Sequence, residues 1–346
     1  MRRRVNAESR VPKQWHNFLR EDENKAELFH YLAEYVIANV AKTAVDEGKQ
    51  VISTKGVEVL NVLTDANIHE LAPCSHEEAD TRILLHVEHA GRHGLKRVMI
   101  RTMDTDVLVL AIGTYSKLSL EELWVSFGTG KGLKYFPVHT IATRLGDDRA
   151  RALTGFHAFT GCDQTSSFAG KGKKTAWDTW LNFDGVTTAF ELMTCLPSST
   201  TLTTIMPSLE RFVVLMYDKT RIFNSVNETR KLLFTRKGRS IDNIPPTSAA
   251  LSEHVKRSIF QAGFHWGQYL EQSPSIPSPS EWGWQKGESG NWEPFWSRLP
   301  QASACCQELL RCKCKPDTGC RGWCKCVRTG MVCTALCQCG GSCDRV

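Results

Sequence analysis

The chain has 346 residues, enough for one large or two ordinary domains, and its 41% hydrophobic content supports a sizeable core and argues against wholesale disorder. No apolar run approaches the roughly 18–20 residues that a membrane helix needs, so no membrane partner is expected. The formal net charge of +6 is mild and by itself does not single out nucleic acid among soluble partners. Met1-Arg2-Arg3-Arg4 is basic but no apolar stretch follows it, so no secretory signal is expected.

Residues 14–45 read as helical, with Leu28, Leu32, Tyr35 or Val36, and Val40 at helical spacing. Val57 to Leu63 is rich in β-branched and aliphatic residues and reads as a strand. Ser75-His76-Glu77-Glu78 fits a capping box, opening a helix whose apolar stripe is Ala79, Ile83, Val87 and Ala90, with Gly91 and Gly94 near its end. Arg97 to Thr102 reads as a buried strand ending at Asp104. Val107 to Ile112 fits helix or strand, and Leu123 to Phe127 is a strand ended by Gly128-Thr129-Gly130. Beyond that the pattern is helical to about Gln272. Strands alternating with helices predict an α/β domain with a mainly parallel sheet.

Composition shifts at Ser273. Ser273-Pro274-Ser275-Ile276-Pro277-Ser278-Pro279-Ser280 reads as a linker, followed by Trp282, Trp284, Trp292 and Trp296. That many indoles are expected to lie on the globular body; a peptide-binding surface for a protein partner is the alternative. The organisation expected is an α/β domain with a helical extension over 1–272, a Ser/Pro- and Trp-rich linker over 273–304 and a cysteine-rich tail over 305–346.

Of 14 cysteines, eleven lie between Cys305 and Cys343. In a reducing compartment dense cysteines indicate metal rather than disulfides, the knot being the alternative. Cys312, Cys314, Cys320, Cys324, Cys326, Cys333, Cys337, Cys339 and Cys343 follow C-x-C-x5-C-x3-C-x-C-x6-C-x3-C-x-C-x3-C. Zinc takes four thiolates, so nine cysteines serve three zincs if three of them bridge. The tail has almost no apolar residues, so metal is expected to supply its folding energy. This spacing resembles the tesmin-type CXC domain, a resemblance that implies three zincs and a DNA contact. Family members usually carry a tyrosine before the fourth cysteine; here Trp323 stands there, beside Lys325. Residues 301–346 hold seven basic and three acidic side chains. Nine thiolates outweigh three zinc dications by three charges, so the loaded tail keeps only about +1. Phosphate binding then requires Lys313, Lys315, Arg321, Lys325 and Arg328 on one face. A zinc module that binds protein, or only folds the tail, is the alternative.

Carboxylates recur where strands end or helices begin. Glu77, Glu78 and Asp80 open one helix, Asp104-Thr105-Asp106 follows a strand, and Asp163 follows Gly161-Cys162. Singly these fit capping and turn roles. Gly170-Lys171-Gly172-Lys173-Lys174 then offers close backbone approach and charge to a phosphate, or is a solvated loop. His76, His86, His89 and His93 invite a zinc reading, but none of their spacings is diagnostic and they read as surface histidines. The order of the acidic motifs resembles the later part of a flap-endonuclease-like PIN domain of the xeroderma pigmentosum group G type, over about Pro73 to Trp180. That resemblance implies a PIN-like parallel sheet with helices on both faces. It also implies that Glu78, Asp80, Asp104, Asp106 and Asp163 hold Mg²⁺ or Mn²⁺ for phosphodiester hydrolysis. No strand carrying a first aspartate is legible before the helix of Trp15 to Val40, and Asp65 is a poor match for a second. The chain therefore resembles an amino-terminally shortened member of a transposon-related lineage of PIN-like proteins with a CXC tail. The expected function is nucleic-acid binding in the nucleus (the cytoplasm being the alternative) by a zinc protein with a degenerate nuclease-like domain. An active structure-specific nuclease is the runner-up and a protein-interaction scaffold the third reading.

Overall fold

A computed structural model describes residues 4–47, 49–62, 68–198, 200–218, 223–235, 243–297, 311–315, 320–328 and 332–341. They form two compact units, one within 1–111, 117–139 and 268–275, the other within 112–116, 140–267 and 276–346. No described helix is long and apolar enough to cross a membrane. Asp65 lies outside the described residues.

In the first unit the helical pattern of the first fifty residues resolves into α1 (Trp15–Arg20), α2 (Asp22–Tyr35) and α3 (Ala41–Asp46), with a π-helical turn before α3. Leu32 and Tyr35 of the expected apolar stripe are exposed, and Ala33 is buried instead. A hairpin follows, β1 (Ile52–Lys55) against β2 (Glu58–Asn61), with Gly56 at φ +58° supplying the left-handed corner of its tight turn. The strand expected at Val57 to Leu63 is β2; β1 is an addition.

Helix α4 (Ala79–Arg92) starts later than the capping box suggests, and its N-cap is Glu78 in extended backbone. The physical reason lies in the preceding turn. The Ser75 N–H donates to the Gln272 carbonyl at 2.8 Å and His76 bonds the Glu271 carbonyl, which ties this segment away from the helix axis. The buried face is Thr81, Leu84, Leu85, Val87, Glu88 and Gly91, about one position round from the expected stripe. Buried Glu88 accepts from Arg92 Nε at 2.9 Å and from the Ser119 N–H at 3.0 Å, so its charge is compensated while it fixes the loop at Ser119.

Strands β3 (Arg97–Thr102) and β4 (Glu122–Phe127) pair in parallel, Arg97 opposite Glu122, with α5 (Thr105–Thr114) in the crossover. The ambiguous run at Val107 is therefore helical, and Val107, Leu110, Ala111 and Ile112 are buried. Strand β5 (Lys134–Pro137) returns antiparallel on β4. The three-stranded sheet, in order β3-β4-β5, is thus mixed, which corrects the expectation of a mainly parallel one. The link Gly128–Leu133 is too short for a crossover helix. Gly128, at φ +88°, has the Gly132 carbonyl 2.9 Å from where a Cβ would stand. Strand β3 is an edge of that sheet, so Met99 is 58% exposed and the strand is not buried as expected.

The second unit is helical: α6 (Val138–Leu145) leads into α7 (Asp147–Thr160), α8 (Lys173–Asn182), α9 (Thr187–Thr194), α10 (Thr201–Tyr217), α11 (Val226–Thr235) and α12 (Ser248–Ile259). Helix α7 is buried continuously from Thr154 to Thr160. Phe156 stacks on Trp180 at 4.8 Å, and Phe159 meets Phe190 and Phe212 at 5.8 and 6.1 Å, an aromatic core in the usual tilted and offset geometries. A buried helix end leaves carbonyls that water cannot reach. Here Lys173 Nζ donates to the His157 carbonyl at 3.2 Å, Thr165 Oγ1 to Ala158 at 2.6 Å, and His254 Nε2 to Phe159 at 2.8 Å. Burial pushes the His254 pKa down to about 4, so the ring is neutral and the Nε2 proton is the one donated.

The tryptophan segment meets the expectation only in part: Trp282 and Trp284 are half-buried, whereas Trp292 and Trp296 are exposed. Trp282 packs on Phe264 at 4.9 Å, and a hairpin follows of β6 (Trp284–Lys286) and β7 (Trp292–Pro294). In the tail one short helix, α13 (Lys325–Arg328), is formed among the described residues.

Gly155 sets how closely α7 approaches α9: a Cβ there would stand 2.1 Å from the Phe190 carbonyl oxygen. Gly155→Ala is expected to lower stability by about 1–3 kcal/mol in chemical denaturation. Gly132→Ala, where the added Cβ meets open space, is expected to change it by less than about 0.5 kcal/mol.

Candidate functional site

The described tail cysteines converge. Cys312, Cys324, Cys326, Cys337 and Cys339 are buried together, with Cys314, Cys320, Cys333 and Phe234 of α11 packed against them. None of the described cysteines forms a disulfide, which sets aside the knot for these residues. Cys312 Sγ lies 3.7, 3.9 and 3.4 Å from the sulfurs of Cys320, Cys333 and Cys339. Cys320 to Cys333 is 3.5 Å, Cys324 to Cys333 is 3.9 Å, and Cys326 to Cys337 is 3.7 Å. Four sulfurs about 2.3 Å from one zinc ion are separated by about 3.8 Å, so these spacings are those of thiolate tetrahedra. Two sets of four have donor atoms within 4.8 Å of one another: Cys312, Cys320, Cys324 and Cys333, and Cys312, Cys333, Cys337 and Cys339. Cys312 and Cys333 belong to both. An all-sulfur donor set suits zinc, so the cluster fits a metal ion by chemistry as well as by spacing. Cys343, the ninth expected ligand, lies outside the described residues.

The protons on these thiols are unevenly held. Burial pushes Cys312 up to about 12 and Cys326 up to about 11. For Cys324, burial is outweighed by the Val327 N–H and the Cys320 thiol, which bring it down to about 7. Beside the cluster, Trp323 is 90% exposed in the turn before α13. Arg321, Lys325 and Arg328 flank it in sequence; Lys313, Lys315, Arg321 and Arg328 are exposed, and Lys325 is half-buried.

In the first unit Asp80, Asp104 and Asp106 come together, with carboxylate oxygens within 4.8 Å of one another. Asp80 sits in the first turn of α4 and Asp106 in that of α5. Asp104 Oδ1 accepts the Asp106 N–H at 2.9 Å, so it also caps α5. Two helix N-termini thus favour the negative charge gathered there. The oxygen-rich set fits a hard divalent ion such as Mg²⁺ or Mn²⁺. Glu78, the N-cap of α4, is not a member of this trio, and Asp163 lies exposed in a loop of the second unit.

The lysine loop is more structural than the sequence suggests. Gly170 turns at φ +67°, the Lys171 N–H bonds the Phe168 carbonyl at 3.0 Å, and Lys171 Nζ stands over the Tyr217 ring at 5.0 Å. Lys173 closes the end of α7, Gly172 is the N-cap of α8, and Lys174 is exposed. Of the four histidines weighed as zinc ligands, His89 and His93 come together, and Glu70, which the sequence did not point to, joins them: the three place ligand atoms within 4.8 Å of one another. The four-residue spacing of the two histidines on one helix was the available signal. His86 is half-buried, and desolvation lowers its pKa to about 4.

The chain matches no family model, no curated protein and no solved structure.

Alkylation mapped by mass spectrometry checks the metal cluster. In zinc-loaded full-length chain, exposed Cys195 is expected to react at once, whereas Cys312, Cys324 and Cys333 react only after a strong chelator is added. Equal labelling with and without chelator would remove the metal centre.

Proposed function

We propose that the chain is a nuclear, zinc-containing nucleic-acid-binding protein whose tail is a three-zinc thiolate cluster and whose α/β part is a nuclease-like domain with little or no cleavage activity. The observation that carries this reading is the pairing of crowded sulfurs with an indole left 90% exposed in a stretch of chain that also holds Arg321, Lys325 and Arg328. Leaving a large apolar ring in water is unfavourable, and a ring so placed gains by stacking on a base while neighbouring cations meet phosphates. Cys312 and Cys333, shared by both sets of four, are the natural bridging thiolates. The mild charge of the loaded tail limits the number of phosphates it neutralises, so binding is modest and salt-sensitive rather than strong.

A second reading rests on Asp80, Asp104 and Asp106. A divalent ion held there would supply a Lewis acid and an activated water for phosphodiester hydrolysis. Three grouped carboxylates suffice to hold one ion, whereas in-line displacement with two ions draws on a larger ligand set. Binding without efficient cleavage is therefore the better fit.

Binding of the full chain to duplex and single-stranded DNA, measured across a salt series, is expected to weaken with a log–log slope between about −2 and −4. Trp323→Ala is expected to weaken it roughly five- to hundredfold with the slope unchanged, because stacking rather than charge is removed. Salt-independent binding, or none, would favour a protein-binding module. Incubated with 5′-flap and blunt duplex DNA in Mg²⁺ or Mn²⁺, the chain is expected to leave the DNA uncut. Cleavage that disappears in Asp104→Ala would establish the second reading instead.

A further inference from the structure

The second unit contains a cavity of about 340 Å³, bounded among others by Ser166, Arg230, Thr247, His254, Arg257 and Trp296. That is near the lower end of ligand pockets, which span about 300–1,000 Å³. Among the described residues its charge is one-sided: two guanidinium groups line it and no carboxylate does.

Arg257 is the telling residue. It is only 4% exposed, yet among the described residues it forms no ion pair. Its Nη1 donates to the Gly283 carbonyl at 2.9 Å, and its guanidinium stands 6.0 Å from the Trp284 ring and 5.9 Å from Trp296. Glu253, the carboxylate whose field reaches it, is bonded to Lys256 at 2.7 Å. One hydrogen bond and two ring faces leave most of a five-donor fork unused, and a buried cation in that state is unfavourable until an anion arrives. Burial accordingly lowers the pKa of Arg257.

The other walls suit the same ligand. Arg230, oriented by a hydrogen bond to the Pro245 carbonyl, brings the second guanidinium. Ser166, Ser167 and Thr247 contribute hydroxyls, and Thr247 is the N-cap of the twelve-residue α12, whose positive end adjoins the cavity. His254 is held neutral by burial and adds no competing charge. Trp296, 63% exposed on the rim, presents a flat apolar face.

We propose that this cavity is a phosphate-binding pocket, in which Arg257 and Arg230 hold the phosphate oxygens and Trp296 covers the group that carries it. The planar forks match phosphate oxygens in pairs, and the indole matches a nucleobase or leaves a free phosphate uncovered. The pocket stands independently of the cysteine tail and of the carboxylate trio.

The test titrates the full chain with inorganic phosphate and with a nucleoside monophosphate, by calorimetry and phosphorus NMR. Two variants act on the pocket. Arg257→Leu removes the buried charge and is expected to fold, since replacing an uncompensated buried cation by an apolar group relieves its desolvation. Ser166→Asp, at an exposed position, puts a carboxylate where the anion would sit. Binding of either ligand that falls at least tenfold in both variants supports the pocket. Nucleotide binding roughly fivefold or more tighter than phosphate, reduced to the phosphate level by Trp296→Ala, identifies a nucleotide as the source; equal binding identifies free phosphate. Absence of binding to both ligands, or binding that persists in both variants, overturns the proposal.

Discussion

The buried carboxyl end of α7 is the constraint around which the second unit is arranged. Three consecutive carbonyls, those of His157, Ala158 and Phe159, sit where water does not reach, and each needs a donor. The donors come from Lys173, Thr165 and His254, far apart in sequence. Satisfying them fixes the loop from Gly161 to Gly172, the start of α8 and the middle of α12 with respect to α7. The loop then forms one wall of the arginine-lined cavity, and α12 brings Arg257 and His254 to another. A requirement of backbone hydrogen bonding thus places both a basic loop and a ligand pocket.

The cysteine tail obeys a different rule. Its described part buries sulfur rather than hydrocarbon, with Phe234 as the apolar neighbour from the helical body. Thiols crowded to within 4 Å of one another repel once ionised, and burial resists ionisation. A zinc ion held there would resolve both difficulties, because it would take the thiolate charge and convert the crowding into coordination. The exposed indole of Trp323, with Arg321, Lys325 and Arg328 near it in sequence, would then be carried on a rigid support, as the proposed recognition by stacking and charge requires.

The sequence revealed those parts of this arrangement that depend on local spacing. Strands β3 and β4 are short aliphatic runs bounded by Lys96 and Asp104, and by Gly128, and they appear where the pattern put them. The nine-cysteine spacing led to the cluster because C-x-C and C-x3-C steps carry their geometry with them. Other features depend on distant partners. The start of α4 moved to Ala79 because Gln272 and Glu271, from the far end of the chain, hold Ser75 and His76. The sheet is mixed because β5 is a brief run, Lys134 to Pro137, whose strand character comes from pairing with β4. Lys173 read as a phosphate ligand because its sequence neighbours are glycine and lysine; the His157 carbonyl and the Thr160 hydroxyl it serves are sixteen and thirteen positions away. The cavity left no trace, since Ser166, Arg230, Arg257 and Trp296 share no motif.

The central claim is that thiolates shared between metals organise the tail. Zinc K-edge X-ray absorption on the zinc-loaded full-length chain addresses it most directly. The account predicts a shell of about four sulfurs per zinc at about 2.3 Å, together with a metal–metal scattering feature that vanishes in Cys312→Ser. A shell containing nitrogen or oxygen, or isolated zinc ions with no metal neighbour, would contradict it.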